Sequence, residues 1–237
     1  MYYLKTFQTT EEYKKSSLNY PNISLVKEDN MLYFEASDYV DLGLTSGTLW
    51  MKCNIGATSE TDYGLYFQWG DTVGYTDDEA KAHSTWSTCP GNDVYNSYKE
   101  ASLAAWDKKH LTNNILNIDV DAAYIHSNGR MKMPTTAQCQ ELQKETNHSY
   151  VTNYNDTGIN GMKFVSKKNP SKYIFIPNSG DFADGKFYTS SRGGVWTSRM
   201  SIEDSGLRAF SDCLVDESYM LQSPRYASMC VRGVVII

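Results

Sequence analysis

The residues of this chain whose types suit chemistry are four histidines, five cysteines and two closely spaced pairs of aspartates. His83, His110, His126 and His148 stand in polar, loop-like or helix-end contexts, and none neighbours a G-x-S-x-G elbow, so the sequence spells out no local pairing of nucleophile and base. Cys53, Cys89, Cys139, Cys213 and Cys230 form an odd set without a C-x-x-C pair. They signal neither a zinc site nor a complete disulfide framework and read as reduced, buried small hydrophobes. Asp119 and Asp121, two apart, would on a strand face one side as a carboxylate pair for acid–base work, or serve the structure alone. Asp181 and Asp184 fall in "IPNSGDFADG", whose oxygens suit a hard cation if the stretch is not simply a solvated glycine-rich loop.

The elements that must position these residues are short. The chain has 237 residues, 41% hydrophobic and 21% charged, which is enough for a sizeable core and outside the range of disordered compositions. No apolar run reaches the roughly 18 to 20 residues of a membrane span, and membrane insertion is not expected. A net charge of −6 without a lysine/arginine stripe argues against nucleic acid as a partner. The N-terminal "MYYLKTFQTTEEYKKSS" lacks a basic stretch followed by an apolar one, so Sec-type export is not expected. Eighteen tyrosines against eight phenylalanines suit a binding face as well as β-sheet.

Residues 1–38 stand apart. They offer one short helix, with Thr9 three residues ahead of Glu12, and two strands, Ile23 to Val26 and Met31 to Glu35, too little to fold alone. From Tyr39 to Ile237 the pattern predicts an α+β domain. Helices are expected over Tyr98 to His110, with Leu103 and Trp106 on one face, and over "TTAQCQELQKET" after Pro134, with Cys139 and Leu142 as its stripe. Strands are expected at Gly161 to Ser166, Tyr173 to Pro177, Gly194 to Ser198, Arg208 to Ser211 and Ser228 to Ile237, and a long loop over Asp71 to Asn96.

The order of motifs carries a resemblance. "YVDLGLTSGTLWMKCNIGATSETDYGLYFQWGDT", "DVDAAYIHSNGRMKMPTTAQCQEL", "GINGMKFVSKKNPSKYIFIPNSGDF", "GGVWTSR" and "RYASMCVRGVVII" resemble, in this order, the V-D-L-G-L opening, acidic-Ala-Ala segment, central strands and closing S-V-R-x-V of a repetitive domain class common in Bacteroidota and Fibrobacter proteins. The resemblance implies a C-type-lectin-like domain over 39–237, related to formylglycine-generating-enzyme-like folds, with long irregular loops. Met131-Lys132 stands where Trp-Arg is usual and Gly233 where proline is common, which puts the chain's entry into the helix at Pro134 in question. "LKTFQTTEEYKKSSLNYPNISLVKEDNMLYFE" resembles the leader of small structural proteins of phages infecting Bacteroidota, which implies an attachment or oligomerisation role for 1–38, with Phe7, Tyr13, Tyr20, Pro21 and Ile23 in its motifs.

Against these patterns the chemical candidates thin out. The surroundings of Cys213 and Cys230 lack the pattern of the cysteine-dependent oxidases, and isoleucine precedes Pro177-Asn178 where calcium-binding lectins carry an acid. No enzyme activity, metal or cofactor is expected. The resemblance places the ligand face between the W-T-S strand and the last strand, at Arg199, Glu203, Asp204, Tyr219, Gln222, Arg225 and Tyr226. An ordinary loop surface is the alternative. The expected protein is a virion component, a head or tail fibre or decoration subunit. It would be homotrimeric, contact other virion proteins and touch a host-surface glycan or protein. A bacterial surface adhesin or carbohydrate-binding module of the same fold is the alternative reading.

Overall fold

The computed structural model describes residues 38–92, 99–188, 194–201, 208–213 and 220–235, with backbone alone at 100, 208–213, 220 and 221. The attachment segment, with Phe7, Tyr13, Tyr20, Pro21 and Ile23, lies outside the described residues, as do Glu203, Asp204 and Tyr219. The described part is a mixed α/β domain built mostly of sheet, with few helices.

Its opening segment alternates strand and turn. Strand β1 (Tyr39–Asp41) pairs antiparallel with β2 (Leu49–Met51), and β2 pairs on its other edge with β15 (Val234–Val235). The first and last strands described therefore share one small sheet. Between β1 and β2, Leu42 and Leu44 turn into the core while Thr45 and Ser46 bind the carboxylates of Glu145 and Glu141 through their backbone N–H and hydroxyl groups. After β2 the chain turns at Gly56, whose φ of +79° favours glycine and where a Cβ would fall 2.6 Å from Leu65 Cγ.

A nine-stranded sheet forms the middle of the domain. Its main path is β10 (Lys186–Tyr188), β9 (Asp181–Ala183), β14 (Ser228–Cys230), β11 (Gly194–Met200), β12 (Arg208–Cys213) and β13 (Met220–Pro224). Strand β3 (Tyr66–Gln68) pairs with β14, and the short hairpin β4 (Leu111–Thr112) and β5 (Ile115–Leu116) joins through β11. A third sheet has the order β6 (Thr146–Val151), β7 (Gly161–Ser166), β8 (Tyr173–Pro177). Buried Trp50, Trp69 and Trp196 fill the space between layers; Trp69 Nε1 donates to Thr197 O and Trp196 Nε1 to Phe67 O.

Two expected helices form where their patterns lie, α2 (Glu100–His110) and α4 (Thr136–Glu145). Two more correct the sequence reading. Helix α1 (Asp77–His83) interrupts the expected loop over 71–96, because the Glu79 carboxylate accepts from the N–H and hydroxyl of Thr76 and three acids occupy the first turn. Helix α3 (Ala122–His126) was not expected; it has Asp121 as its N-cap, accepting from Tyr124 N at 2.9 Å. The final run from Ser228 is also broken, into β14 and β15, by an extended link through Val231, Arg232 and Gly233.

The two motif departures prove to be neighbours. A Cβ at 233 would lie 2.8 Å from Met131 Sδ, so the long flexible side chain at 131 and the missing one at 233 share the same space. The helix entry is held instead by Ser198 N donating to Pro134 O and by the Thr135–Gln138 capping box.

Arg232 ties the layers together. Fully buried, it donates from Nε to Asn54 Oδ1 at 2.8 Å, from Nη1 to Met51 O at 2.9 Å and to Lys52 O, and from Nη2 to Phe175 O at 3.0 Å. Replacing Arg232 by Met is expected to lower stability by about 3 kcal/mol, because several buried acceptors lose their donor at once. Arg232→Lys should restore less than half of that, since an ammonium lacks the planar fork. Urea unfolding measures both; an unchanged midpoint in Arg232→Met would mean that the carbonyls find other donors.

Candidate functional site

The expected ligand face divides into inward and outward parts. Arg225 lies in the turn that follows β13, with its side chain fully buried, which corrects its assignment to an exposed face. Its guanidinium carbon lies 4.6 Å from the centre of the Trp69 ring and 4.9 Å from that of Trp106, and Nη1 donates to Asp107 Oδ1 at 2.7 Å. An arginine suits this place because a planar, weakly hydrated cation stacks on indole faces while its edge meets a carboxylate. Trp106 is held in position by two glycines in the left-handed region. A Cβ at Gly70 or at Gly91 would come within 2.5 Å of it. Burial pushes the Asp107 carboxyl up and Arg225 pulls it down, with burial prevailing.

Tyr226, the next residue, points elsewhere. Its ring centre lies 4.7 Å from that of Trp86, its hydroxyl donates to Asp184 Oδ2 at 2.9 Å, and its carbonyl accepts from Gln68 Nε2. Trp86 and Tyr226 are both half-buried, so parts of both rings reach solvent. Asp184 and Gly185, both at positive φ, make the two-residue turn joining β9 to β10. The same hairpin exposes Phe187 and Tyr188 by 43% and 46%, large apolar areas for a surface strand. Trp86, Asp184 and this hairpin were not singled out as a face in the sequence. The Asp-Gly step between two triplets centred on phenylalanine was the available signal for the hairpin, whereas Trp86 sits in a polar stretch that marks nothing.

Of the other expected face residues, Arg199 lies half-buried on β11 opposite Ile115. Gln222 lies half-buried in the middle of β13 opposite Phe210. The structure therefore brings together Tyr226 with Trp86 and Asp184, and sets Arg225 beneath them as support.

The histidines are engaged by neighbours. His83 stacks on Tyr75 with ring centres 4.0 Å apart and stands 3.6 Å from Asp71. His110 Nδ1 lies 2.7 Å from Asp119 Oδ2, beside Trp106. His126 Nε2 donates to Thr72 O at 2.8 Å, and burial pulls its pKa down. His148 lies against Phe164. Asp119 and Asp121 do not form a pair: Asp119 is exposed against His110, while Asp121 is buried and accepts from Met133 N as well as Tyr124 N. Burial outweighs those donors and pushes the Asp121 carboxyl up to about 6.

Cys89, Cys139 and Cys230 are buried and Cys53 half-buried, all four as free thiols. Burial pushes Cys89 and Cys230 up to about 12 and raises Cys53, so these three are protonated at neutral pH. Among the described residues no group of three or more His, Cys, Asp or Glu side chains is gathered closely enough to hold a metal ion, and no helix is long and apolar enough to cross a membrane. Comparison with protein-family models, curated proteins and solved structures finds no match to this chain.

Two measurements probe this region. Asp107→Asn should destabilise the domain by about 2 to 3 kcal/mol, because it strands a buried guanidinium, and the change should appear in tryptophan fluorescence on urea unfolding. An unaltered midpoint would show that the indoles alone hold Arg225. Asp181, half-buried on β9 opposite Tyr188, has its carboxyl pushed up to about 6 by burial. Its folded pKa lies above the ordinary value near 4, so the native state is favoured below about pH 4 and loses stability as pH rises through 6. Asp181→Asn should therefore gain about 1 kcal/mol at pH 7, after allowing for solvent screening, and nothing at pH 4. Equal effects at both pH values would remove burial of the charge as the cause.

Proposed function

We propose that this chain is a non-enzymatic phage virion protein, a head or tail fibre or decoration subunit, whose 39–237 domain has a C-type-lectin-like fold. In this reading the domain touches a host-surface glycan or protein through the surface around Trp86, Tyr226 and the Asp181–Tyr188 hairpin, and residues 1–38 attach it to the particle and to two sister chains. The observation that carries the domain reading is its closure. Strand β2 lies between β1 and β15, so the ends of the domain share one sheet and everything between is available for elaboration into loops. The ordered sequence motifs fall on elements that suit them: Val40-Asp41 on β1, M-P-T on the cap of α4, the I-F-I-P run on β8, and the W-T-S run on β11.

A binding face is favoured over a catalytic cleft by how the side chains are used. Aromatic rings and a carboxylate cluster around Tyr226, a composition typical of recognition surfaces. The thiols near the core are held protonated, which suits packing and not nucleophilic attack.

Mass spectrometry of gradient-purified particles from a lysed culture of the source should find the chain at stoichiometric level with DNA-containing virions. Recovery with the cell envelope instead would leave the adhesin as the working assignment. Removal of residues 1–37 should convert a trimer into a monomer by light scattering, and a persistent trimer would take the oligomerising role away from that segment.

A further inference from the structure

A cavity of about 380 Å³ opens between α3, α4, β5 and β15 and shares no residue with the Trp86–Tyr226 surface. Leu116, Met131, Met133 and Val234, all buried, form an apolar wall. Half-buried Val235 continues it, and Ile118, 47% exposed, carries it to the rim. The wall is fixed by a two-way backbone bridge, Lys132 N to Val234 O at 3.0 Å and Val234 N to Lys132 O at 2.9 Å. A concave volume of this size, walled mostly by apolar side chains, is what small-molecule sites have in common.

Bulk is missing at two neighbouring positions of this wall. Met131 lines the cavity, and Gly233, which is not part of the lining, stands behind it. A Cβ at 233 would fall 2.8 Å from Met131 Sδ and 3.2 Å from Met131 Cβ. These are two of the places where the chain departs from the motif pattern, with methionine in place of tryptophan and glycine in place of proline. A methionine side chain has three rotatable bonds, so with no side chain behind it this wall adjusts to what enters.

The polar groups of the lining are occupied by the protein itself. Both Asp121 oxygens accept from Met133 N, at 3.1 and 3.0 Å, and Oδ1 also accepts from Tyr124 N. Exposed Lys132 attracts that carboxylate, so the two charges offset each other. Arg130 is buried and engaged by the chain, its Nε donating to Ser127 O at 2.6 Å. Thr135 and Gln138 bond to one another in the capping box, and Ser198 donates to Pro134 O from its amide and its hydroxyl. An ion entering such a site loses hydration without gaining a partner, whereas an apolar group gains by leaving water.

We propose that this cavity binds a small uncharged aliphatic molecule, its alkyl part against Met131, Met133 and Val234 and its one polar group at the rim beside Ile118. Short-chain alcohols have that form.

The test is methyl NMR on the full chain labelled at methionine, titrated at neutral pH with 4-methylpentan-1-ol, 4-methylpentanoate and 4-methylpentan-1-amine, which share one alkyl chain and differ in charge. Saturable shifts of the Met131 and Met133 methyls are expected with the alcohol, at a Kd on the order of 1 mM. Either ion should bind about tenfold more weakly or not at all. Gly233→Ala, which crowds Met131 toward the cavity, should weaken the alcohol about tenfold. Ile118→Ser, at an exposed position that the fold does not depend on, should weaken it about threefold and carries the test if Gly233→Ala does not fold. No saturable shift with the alcohol, equally tight binding of either ion, or an unchanged Kd in Ile118→Ser or in folded Gly233→Ala would overturn the proposal. None of these outcomes depends on whether the chain co-bands with virions.

Discussion

One buried cation holds the parts of this domain in register. Arg232 leaves β14 and enters the space between three sheets, where it finds carbonyls of residues 51 and 52 at the end of β2, the amide of Asn54, and the carbonyl of Phe175 on β8. These acceptors are neutral, so the hydrogen bonds that meet the charge come from oriented dipoles, with the Glu60 carboxylate attracting it from farther away. Burial pulls the guanidinium down to about 10, which leaves it charged at neutral pH. Desolvating such an ion is costly, and only a full set of well-placed acceptors offsets it. The chain must therefore bring residues 51–54, 175 and 232 together correctly or leave a charge stranded. This makes Arg232 a device for specificity as much as for stability, and it explains how strands of two or three residues, marginal alone, hold a defined arrangement.

Much of this arrangement was legible because the local signals agree with the global one. Strands β7 and β8 form over the expected Gly161–Ser166 and Tyr173–Pro177, where apolar and polar residues alternate or run continuously between turn residues. Helix α4 starts after Thr135, as Pro134 and the capping residues imply. The opening "LGLTSGTLW" was readable as core and turn, and Leu42, Leu44 and Trp50 are buried. The misreadings have physical causes. Helix α1 has only Ala80 buried, so it shows no apolar stripe, and its caps were the sole sign of it. Of the two readings of Asp121, acidic pair or structural residue, burial decides for the second, and burial is not visible in a sequence.

The same blindness produced the error at Arg225. Arginine is enriched at interfaces and equally at home between indoles, and sequence alone does not separate these uses. The deciding partners are remote: Trp69 lies on the far side of β3, and Trp106 and Asp107 belong to α2, more than a hundred positions away. No local window contains that information.

The adjacency of Arg225 and Tyr226 has its own consequence. Arg225 and Tyr226 are the two central residues of a turn closed by Ala227 N donating to Pro224 O at 2.9 Å, so a side chain locked inward at 225 fixes the backbone from which Tyr226 projects. Arg225 is stacked, ion-paired and fully buried, and its carbonyl accepts from Trp69 N at 3.1 Å. Tyr226 is then held at its carbonyl by Gln68, at its ring by Trp86 and at its hydroxyl by Asp184. In the proposed reading, a surface built on such a base has little side-chain entropy left to lose on binding, and preorganisation of this kind gains affinity without further contact area. The inward arginine thus helps to fix the outward face without being part of it.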